Sequence, residues 1–527
     1  MRRFATILAA AIGAVALAAG GGAFAQERHG LPRHDGPSVP AEHRPGPAPA
    51  AEAPSAIPSV SRAETLNLPS GPLDYTVTAT KIPIQARDSG QELAEIFFVS
   101  YTAGKKPDPA RPVTFLFNGG PGAASAYLHL GAVGPLRLAF GRQGDGPSEP
   151  VALQPNMETW LSFTDLVFVD PVGTGFTTAE GSRDEIAQRF WNSEGDVGTL
   201  GAFVVRWLDR YRRRTSPVFL AGESYGGFRI AKLARALQTE RGVGVRGLVM
   251  VSPALDMSLV PSSSNSPIAE AALLPSYAAA SEETDPRPNP PSRASVEDYA
   301  FGAYLADLLR GPGDKAAVAR MVQHVVDLTG LDKDTVERSK GQLQPGVFLR
   351  ALHQKAERVG SPYDATVTAL PLDAAEPYGR AAEPELEGSL APLTSAITHY
   401  LVDTLGYPAD PRHPYEVLSR DVSRQWKWGG HAEAPEAVSD LRAVLALDPK
   451  TRALIGNGAS DLVTPYAATK LMVNAIEPLG DDPGRLERKV YAGGHMFYTR
   501  DDSRAAFAAD VRQLYETALG EGAGPSR

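Results

Sequence analysis

A chain of 527 residues has room for one large domain with an insertion, or for two or three ordinary domains. Its apolar fraction of 43% and charged fraction of 21% are ordinary for a globular protein, and a formal charge of -9 argues against nucleic acid as a general partner, because phosphate binding needs a basic face. There is no cysteine, which excludes thiolate catalysis, cysteine-ligated zinc, disulfides and a cysteine-linked lipid anchor.

The chain opens with Arg2 and Arg3, continues through an alanine-rich apolar stretch from Phe4 to about Ala19, and reaches a small-x-small site at Ala23-Phe24-Ala25. This is the pattern of a secretory signal peptide over residues 1–25, and it predicts a secreted or periplasmic protein. The competing reading is an uncleaved anchor, although the run falls short of the roughly 20 residues a spanning helix needs. No other run is long and apolar enough, so no stable membrane insertion is expected after cleavage. Residues 26–62 are rich in Pro, Ala, Gly and His without hydrophobic periodicity, which predicts a disordered linker. Its His29, His34 and His43 read as an inert tail, with loose metal binding as the alternative.

Strand patterns follow at Tyr75 to Ile84, Leu93 to Tyr101, Val113 to Phe117 and Leu166 to Val169, the last of them short and apolar, as a strand buried on both faces is. A helix is expected from Gly198 to Tyr211, and Arg212-Arg213-Arg214 reads as its solvated end. A strand at Val218 to Leu220, a helix at Phe228 to Leu237 and a strand at Leu248 to Val251 complete an alternation that implies a parallel sheet covered on both faces. From about Asp256 the texture changes to Ser, Pro and Asn clusters and helical segments such as Val296 to Leu309 and Lys315 to Asp327. Residues 63–257 are therefore read as the first half of an α/β core, 258–435 as a mainly helical insertion, and 436–520 as the second half of the core.

The strongest chemical signal is Gly222-Glu223-Ser224-Tyr225-Gly226-Gly227, where a strand enters Gly-x-Ser-x-Gly and a helix leaves it. In such a nucleophile elbow the turn is too sharp for large neighbours, and the serine sits at a helix N-terminus whose dipole favours developing negative charge. A serine hydroxyl needs a base, and the base needs an orienting acid, in the chain order Ser, Asp or Glu, His. His495 opens a glycine-rich turn after a strand near the C-terminus and is the candidate base. Asp461, in the loop after the strand Ala453 to Ile455, is the preferred acid, with Asp448 as its rival. Backbone N–H groups should stabilise an oxyanion: that of Tyr225, and one from the loop Phe117-Asn118-Gly119-Gly120-Pro121-Gly122. Gly242-Val243-Gly244-Val245-Arg246-Gly247 fits a dinucleotide-binding pattern only literally, since it precedes a strand. No metal-ligand spacing is present, and neither metal nor cofactor is expected. The five tryptophans, Trp160, Trp191, Trp207, Trp426 and Trp428, read as core and lid packing.

Five segments in order resemble those of the serine carboxypeptidases: Asn118 to Gly122, Asp170-Pro171-Val172-Gly173-Thr174-Gly175-Phe176, Gly222 to Gly227, Asp461 with Thr464-Pro465, and Gly494-His495-Met496. The resemblance implies an α/β-hydrolase fold, a mostly parallel sheet flanked by helices with a helical lid, acting on peptides with a free C-terminus. It implies Ser224, Asp461 and His495 as the triad and Gly120 and Tyr225 as oxyanion donors. It further implies that Asn118, Gly119 and Glu223 grip the substrate carboxylate. Two departures stand out. Ala123-Ala124-Ser125 replaces the family's cysteine and serines, and Ala132 occupies a position where many members carry a second glutamate. His129 falls on the same helical face as a replacement contact, the alternative being a histidine packed in the core. An exported carboxypeptidase-like peptidase is the expectation. An esterase or acyltransferase on the same triad, and a binding protein on a hydrolase scaffold, are the rival readings.

Overall fold

The computed structural model describes residues 57–520, apart from 87, 142–151, 262–265, 372–382, 430–433 and 477–481. The signal peptide, its cleavage site and the linker histidines therefore lie outside the described residues.

The centre of the molecule is a ten-stranded mixed sheet. Its main strands are β1 (Ser59–Leu68), β2 (Gly71–Gln85), β3 (Glu92–Ala103), β4 (Val113–Phe117), β5 (Asp165–Val169), β6 (Val218–Glu223), β7 (Val245–Val251), β8 (Arg452–Gly458) and β9 (Leu486–Tyr491). Their order across the sheet is β1-β2-β3-β5-β4-β6-β7-β8-β9, and the two-residue strand Thr178–Ala179 pairs with β3. From β5 to β9 every neighbour is parallel, whereas β1, β2 and β3 form an antiparallel edge. Every residue of β4, β5 and β6 is buried, which is why these segments are mostly apolar without alternation, with Thr114, Asp165 and Glu223 as their polar members.

Successive side chains of these strands feed opposite cores. Phe115, Phe117 and Leu220 pack with α1 (Ser193–Arg210) and α2 (Tyr225–Glu240), and Leu116, Phe219 and Ala221 pack on the other face. That second face is covered by α8 (Asp501–Leu519), through Phe507, Val511 and Leu514. Between β7 and β8 the regular elements among the described residues are helices, apart from two two-residue strands, Val359–Gly360 and Thr368–Ala369. Here α3 (Pro267–Thr284) and α4 (Lys315–Thr329) build a separate core around Leu273, Tyr277, Met321 and Val325. Farther along lies α5 (Leu386–Thr398), and after it the chain returns to the sheet through α6 (Val438–Leu447) and α7 (Tyr466–Ile476).

Three sequence expectations need adjusting. Strand β1 begins at Ser59, inside the segment read as linker; only Leu66 of its ten residues is buried, so an exposed edge strand left no apolar alternation to read. Helix α1 starts at Ser193, ahead of Gly198, because the Asn192 side chain caps it by accepting from Gly195 N at 2.8 Å. Arg213 is no solvated helix end: it is buried and donates to Asp165 Oδ2 at 2.6 Å and to Ser216 Oγ and the Arg111 carbonyl, while Arg214 stays exposed against Asp209.

Candidate active site

Ser224 stands between β6 and α2 with φ +57° and ψ -122°, a conformation that costs a residue with a Cβ. The strain is held by the surroundings. Ser224 N donates to Val251 O at 2.9 Å, and the Ser224 carbonyl accepts from Gly227 N and Ala254 N. Glycine is required on either side: a Cβ on Gly222 would lie 2.2 Å from Gly226 O, and one on Gly226 would lie 2.4 Å from Phe117 O.

The loop after β4 lies against this elbow. A Cβ on Gly119 would fall 2.6 Å from Glu223 O, 2.7 Å from Tyr225 N and 2.9 Å from Ser224 Cβ, so the bare backbone of Gly119 is what permits the approach. Gly120 follows with φ +100°. The segment between α5 and α6 braces the loop from outside: Ser419 N donates to Gly122 O at 2.8 Å and Ser423 Oγ to Pro121 O at 2.6 Å. Trp426 and Trp428 pack edge-on against the Tyr225 ring at 5.1 and 5.6 Å.

Across the sheet, the loops after β8 and β9 meet. His495 Nδ1 lies 2.8 Å from Asp461 Oδ2, and Asp461 is wholly buried. Val463 N and Thr464 N donate to Asp461 Oδ1 at 2.8 and 3.0 Å, and Thr464 Oγ1 lies 2.7 Å from Oδ2. Asp448, the rival acid, instead caps its own turn by accepting from Lys450 N at 2.8 Å. Burial acts to lower the His495 pKa, but the charge and hydrogen bond of Asp461, with the charge of Glu223, outweigh it and raise the pKa above the ordinary imidazole value. With Nδ1 turned to Asp461, Nε2 is the nitrogen left for proton transfer. The His495 loop is tied to the elbow side through Ser252, whose Oγ donates to His495 O at 2.8 Å, and to the insertion through His495 N, which donates to Tyr363 O at 2.6 Å.

Glu223 is buried beside Ser224, and its Oε2 accepts from Asn118 Nδ2 and from Tyr498 OH, both at 2.7 Å. Burial is the main cause that pushes its pKa up to about 7; His495, Tyr498 and Asn118 oppose the rise, and Asp461 adds to it. Asn118 is itself fixed at both ends. Its Oδ1 accepts from Leu128 N at 2.9 Å, and its carbonyl accepts from the buried guanidinium of Arg229 at 2.5 Å. The structure thus brings Asn118, Gly119, Glu223, Ser224 and Tyr225 together on one side and Asp461 with His495 on the other, joined by Tyr498.

Neither Ala132 nor the nearby His129 supplies a second acid from the same segment. Ala132 is buried, and its carbonyl accepts from Asn156 Nδ2 at 2.9 Å. His129 turns away into the second core: its Nε2 lies 2.7 Å from Tyr101 OH and its ring stacks on Phe168 at 4.1 Å, with burial driving its pKa down to about 3. Sequence reasoning missed Tyr498 and Arg229. Each sits within five residues of a motif it did identify, but neither residue type marks its own role. Among the described residues no group of three or more His, Asp or Glu is placed to hold a metal ion, and no helix is long and apolar enough to cross a membrane.

A mostly parallel sheet carrying a strained serine elbow, with an Asp–His pair delivered by the loops after β8 and β9, is the arrangement of the α/β-hydrolases. Within that class, residues 86–256 match the family model described as serine carboxypeptidase, and over this segment the chain resembles that family. A pheromone-processing carboxypeptidase of Yarrowia lipolytica is 32% identical over 181 residues, covering 34% of this chain and 26% of that protein. Serine carboxypeptidase-like 41 of Arabidopsis thaliana is 30% identical over 174 residues, covering 31% and 34%. The match thus spans about a third or less of the length of these relatives. The fold likeness reaches farther: the prohormone-processing carboxypeptidase structure from Saccharomyces cerevisiae superposes with a TM-score of 0.51 at 17% identity, covering 84% of this chain and 91% of that one.

Proposed function

We propose that the protein is a serine-type carboxypeptidase that removes C-terminal residues from peptides. The observation that carries this reading is the buried Glu223, held by Asn118 one residue before Ser224, because it sets a carboxyl with a pKa raised to about 7 where a substrate carboxylate would lie. In the proposed reaction Ser224 Oγ attacks the carbonyl before the last residue while His495 Nε2 takes its proton. Asp461 holds the tautomer and stabilises the imidazolium, and the N–H groups of Gly120 and Tyr225 receive the oxyanion. His495 then protonates the leaving amine, an acyl-enzyme remains on Ser224, and water resolves it.

The pH dependence tests the reading. His495 must be neutral to act as a base, so activity rises as pH passes its pKa. Glu223 must be protonated to donate to a carboxylate, so binding weakens about tenfold per pH unit above its own pKa. The two groups interact, and the limbs belong to the pair. For a peptide with a free C-terminus, kcat/KM should be bell-shaped around neutrality. For the same peptide amidated, the alkaline limb should vanish and kcat/KM should be lower at the optimum. Glu223→Gln supplies a donor that does not titrate and should flatten the alkaline limb for the acid peptide. Equal cleavage of acid and amide at every pH would reduce the assignment to a general serine hydrolase, esterases included.

The export reading stays part of the proposal. The mature chain should begin at or near Gln26, outside the cytoplasm, and N-terminal sequencing of the exported fraction checks it; a fraction that begins at Met1 contradicts it.

A further inference from the structure

A carboxyl that must donate to another carboxylate has a geometric problem: the proton has to sit on the oxygen that faces the substrate. In Glu223 one oxygen is already committed. Oε2 accepts from Asn118 Nδ2 and from Tyr498 OH, each at 2.7 Å, and an oxygen receiving two donors cannot itself carry the acidic proton at reasonable cost. The proton of neutral Glu223 is thereby confined to Oε1. Asn118 comes from the loop after β4 and Tyr498 from the 3₁₀ turn Phe497–Thr499 just beyond His495, so the carboxyl is gripped from both halves of the core. The segment after the Asn118 loop offers no second acid, because Ala132 has no titrating group and His129 is bound to Tyr101.

We infer that Tyr498 is the positioning residue of the terminal-carboxylate site: by filling Glu223 Oε2 together with Asn118, its hydroxyl presents Oε1 as a single proton donor to the substrate carboxylate, a site built on one acid and one phenol. This rests on the carboxypeptidase reading above. The groups facing Glu223 are His495 and Asp461 from the loops after β9 and β8, Tyr498, Asn118, and Tyr127 from the short helix Ala126–Leu128. Tyr498 in turn faces Tyr127 and Glu385, the latter from the residue preceding α5. The Tyr127 hydroxyl is buried without a hydrogen-bond partner among the described residues, so it is a neutral neighbour already present to receive a substrate group.

The sign of the effect follows from the donor. A phenol that donates to Glu223 favours its ionised form, so removing the hydroxyl raises the Glu223 pKa even as it loosens the carboxyl. Tyr498→Phe should therefore raise KM for the free-acid peptide about tenfold at low pH with kcat within about twofold. It should also move the alkaline limb of kcat/KM up by about one pH unit. The KM of the amidated peptide should be unchanged. Adding Glu223→Gln should abolish the shift. Tyr498→3-fluorotyrosine, which keeps the ring and strengthens the donor, should move the limb the other way, and it serves should the phenylalanine variant not fold. A purely structural role would raise KM for acid and amide alike and leave the limb in place, and that result would overturn the inference. If the wild type fails to distinguish acid from amide, the carboxypeptidase reading falls instead. The hold of Tyr498 on Glu223 is then read without substrate, by infrared titration of the Glu223 carboxyl in wild type and variant, and an unmoved midpoint there refutes it.

Discussion

Ser224→Ala and His495→Ala are each expected to lower kcat by about 10⁴- to 10⁶-fold while leaving the unfolding midpoint close to that of the wild type. The expected size comes from interdependence. In the proposed mechanism there is no nucleophile for His495 to activate without Ser224, and without His495 the hydroxyl at the elbow keeps its proton, so either loss removes the whole covalent route. The fold should tolerate both. Ser224 makes its structural contacts through backbone atoms, and the backbone bonds of His495 to Ser252 and Tyr363 survive truncation of the ring. Asp461→Asn should cost about 10⁴ in kcat, since an amide can present its N–H to Nδ1 and fix the wrong tautomer. Asp448→Asn should leave kcat unchanged, because that side chain only caps its own turn. Steady-state kinetics on one peptide, with labelling by a fluorophosphonate, measure all four. An active Asp461→Asn beside an inactive Asp448→Asn would reverse the choice of acid.

What the sequence made legible follows the physics of each element. Strands buried on both faces declare themselves, and Val113–Phe117 could be bounded to the residue because four of its five positions are apolar and a proline and an asparagine flank it. The elbow is legible for a different reason: Gly222 and Gly226 are demanded by contacts near 2 Å that no other residue could make, so the pattern is steric before it is chemical. Edge strand β1 carries only one buried side chain and gave no such signal. Arg213 and Arg229 were opaque because an arginine buried on an aspartate looks, in one dimension, like any surface arginine. Tyr498 was opaque too, since its meaning depends on a carboxyl 275 residues away. Local sequence records steric necessity well. It records pairing across the sheet hardly at all.

Arg229→Met is expected to destabilise the protein by about 3–5 kcal/mol, the cost of leaving a buried charge without its partner. Arg229 lies on the second turn of α2 with 1% of its surface exposed, its Nε 2.7 Å from Asp196 Oδ2 and its Nη1 2.5 Å from the Asn118 carbonyl. Its guanidinium also lies 4.9 Å from the Tyr225 ring. Burial raises the Asp196 pKa, and the charge and hydrogen bond of Arg229 are the principal forces opposing that rise. Removing them leaves Tyr225 OH, at 3.2 Å, as the remaining side-chain donor. Asp196→Asn combined with Arg229→Met replaces both charges with neutral groups, so the double variant should recover much of the loss in a double-mutant cycle read by urea unfolding. Function should not recover with it. The Asn118 carbonyl would still lack its donor, the loop that holds Glu223 would be freer, and KM for free-acid peptides should stay raised in the double variant while amidated peptides change less. Arg229→Lys keeps the charge but offers a single point donor in place of a fork, and it should retain more stability than Arg229→Met while still failing to span Asp196 and Asn118 together. A loss below about 1 kcal/mol in Arg229→Met would mean that the pair does not brace the site, and the link from α1 through α2 to the carboxylate loop would be broken.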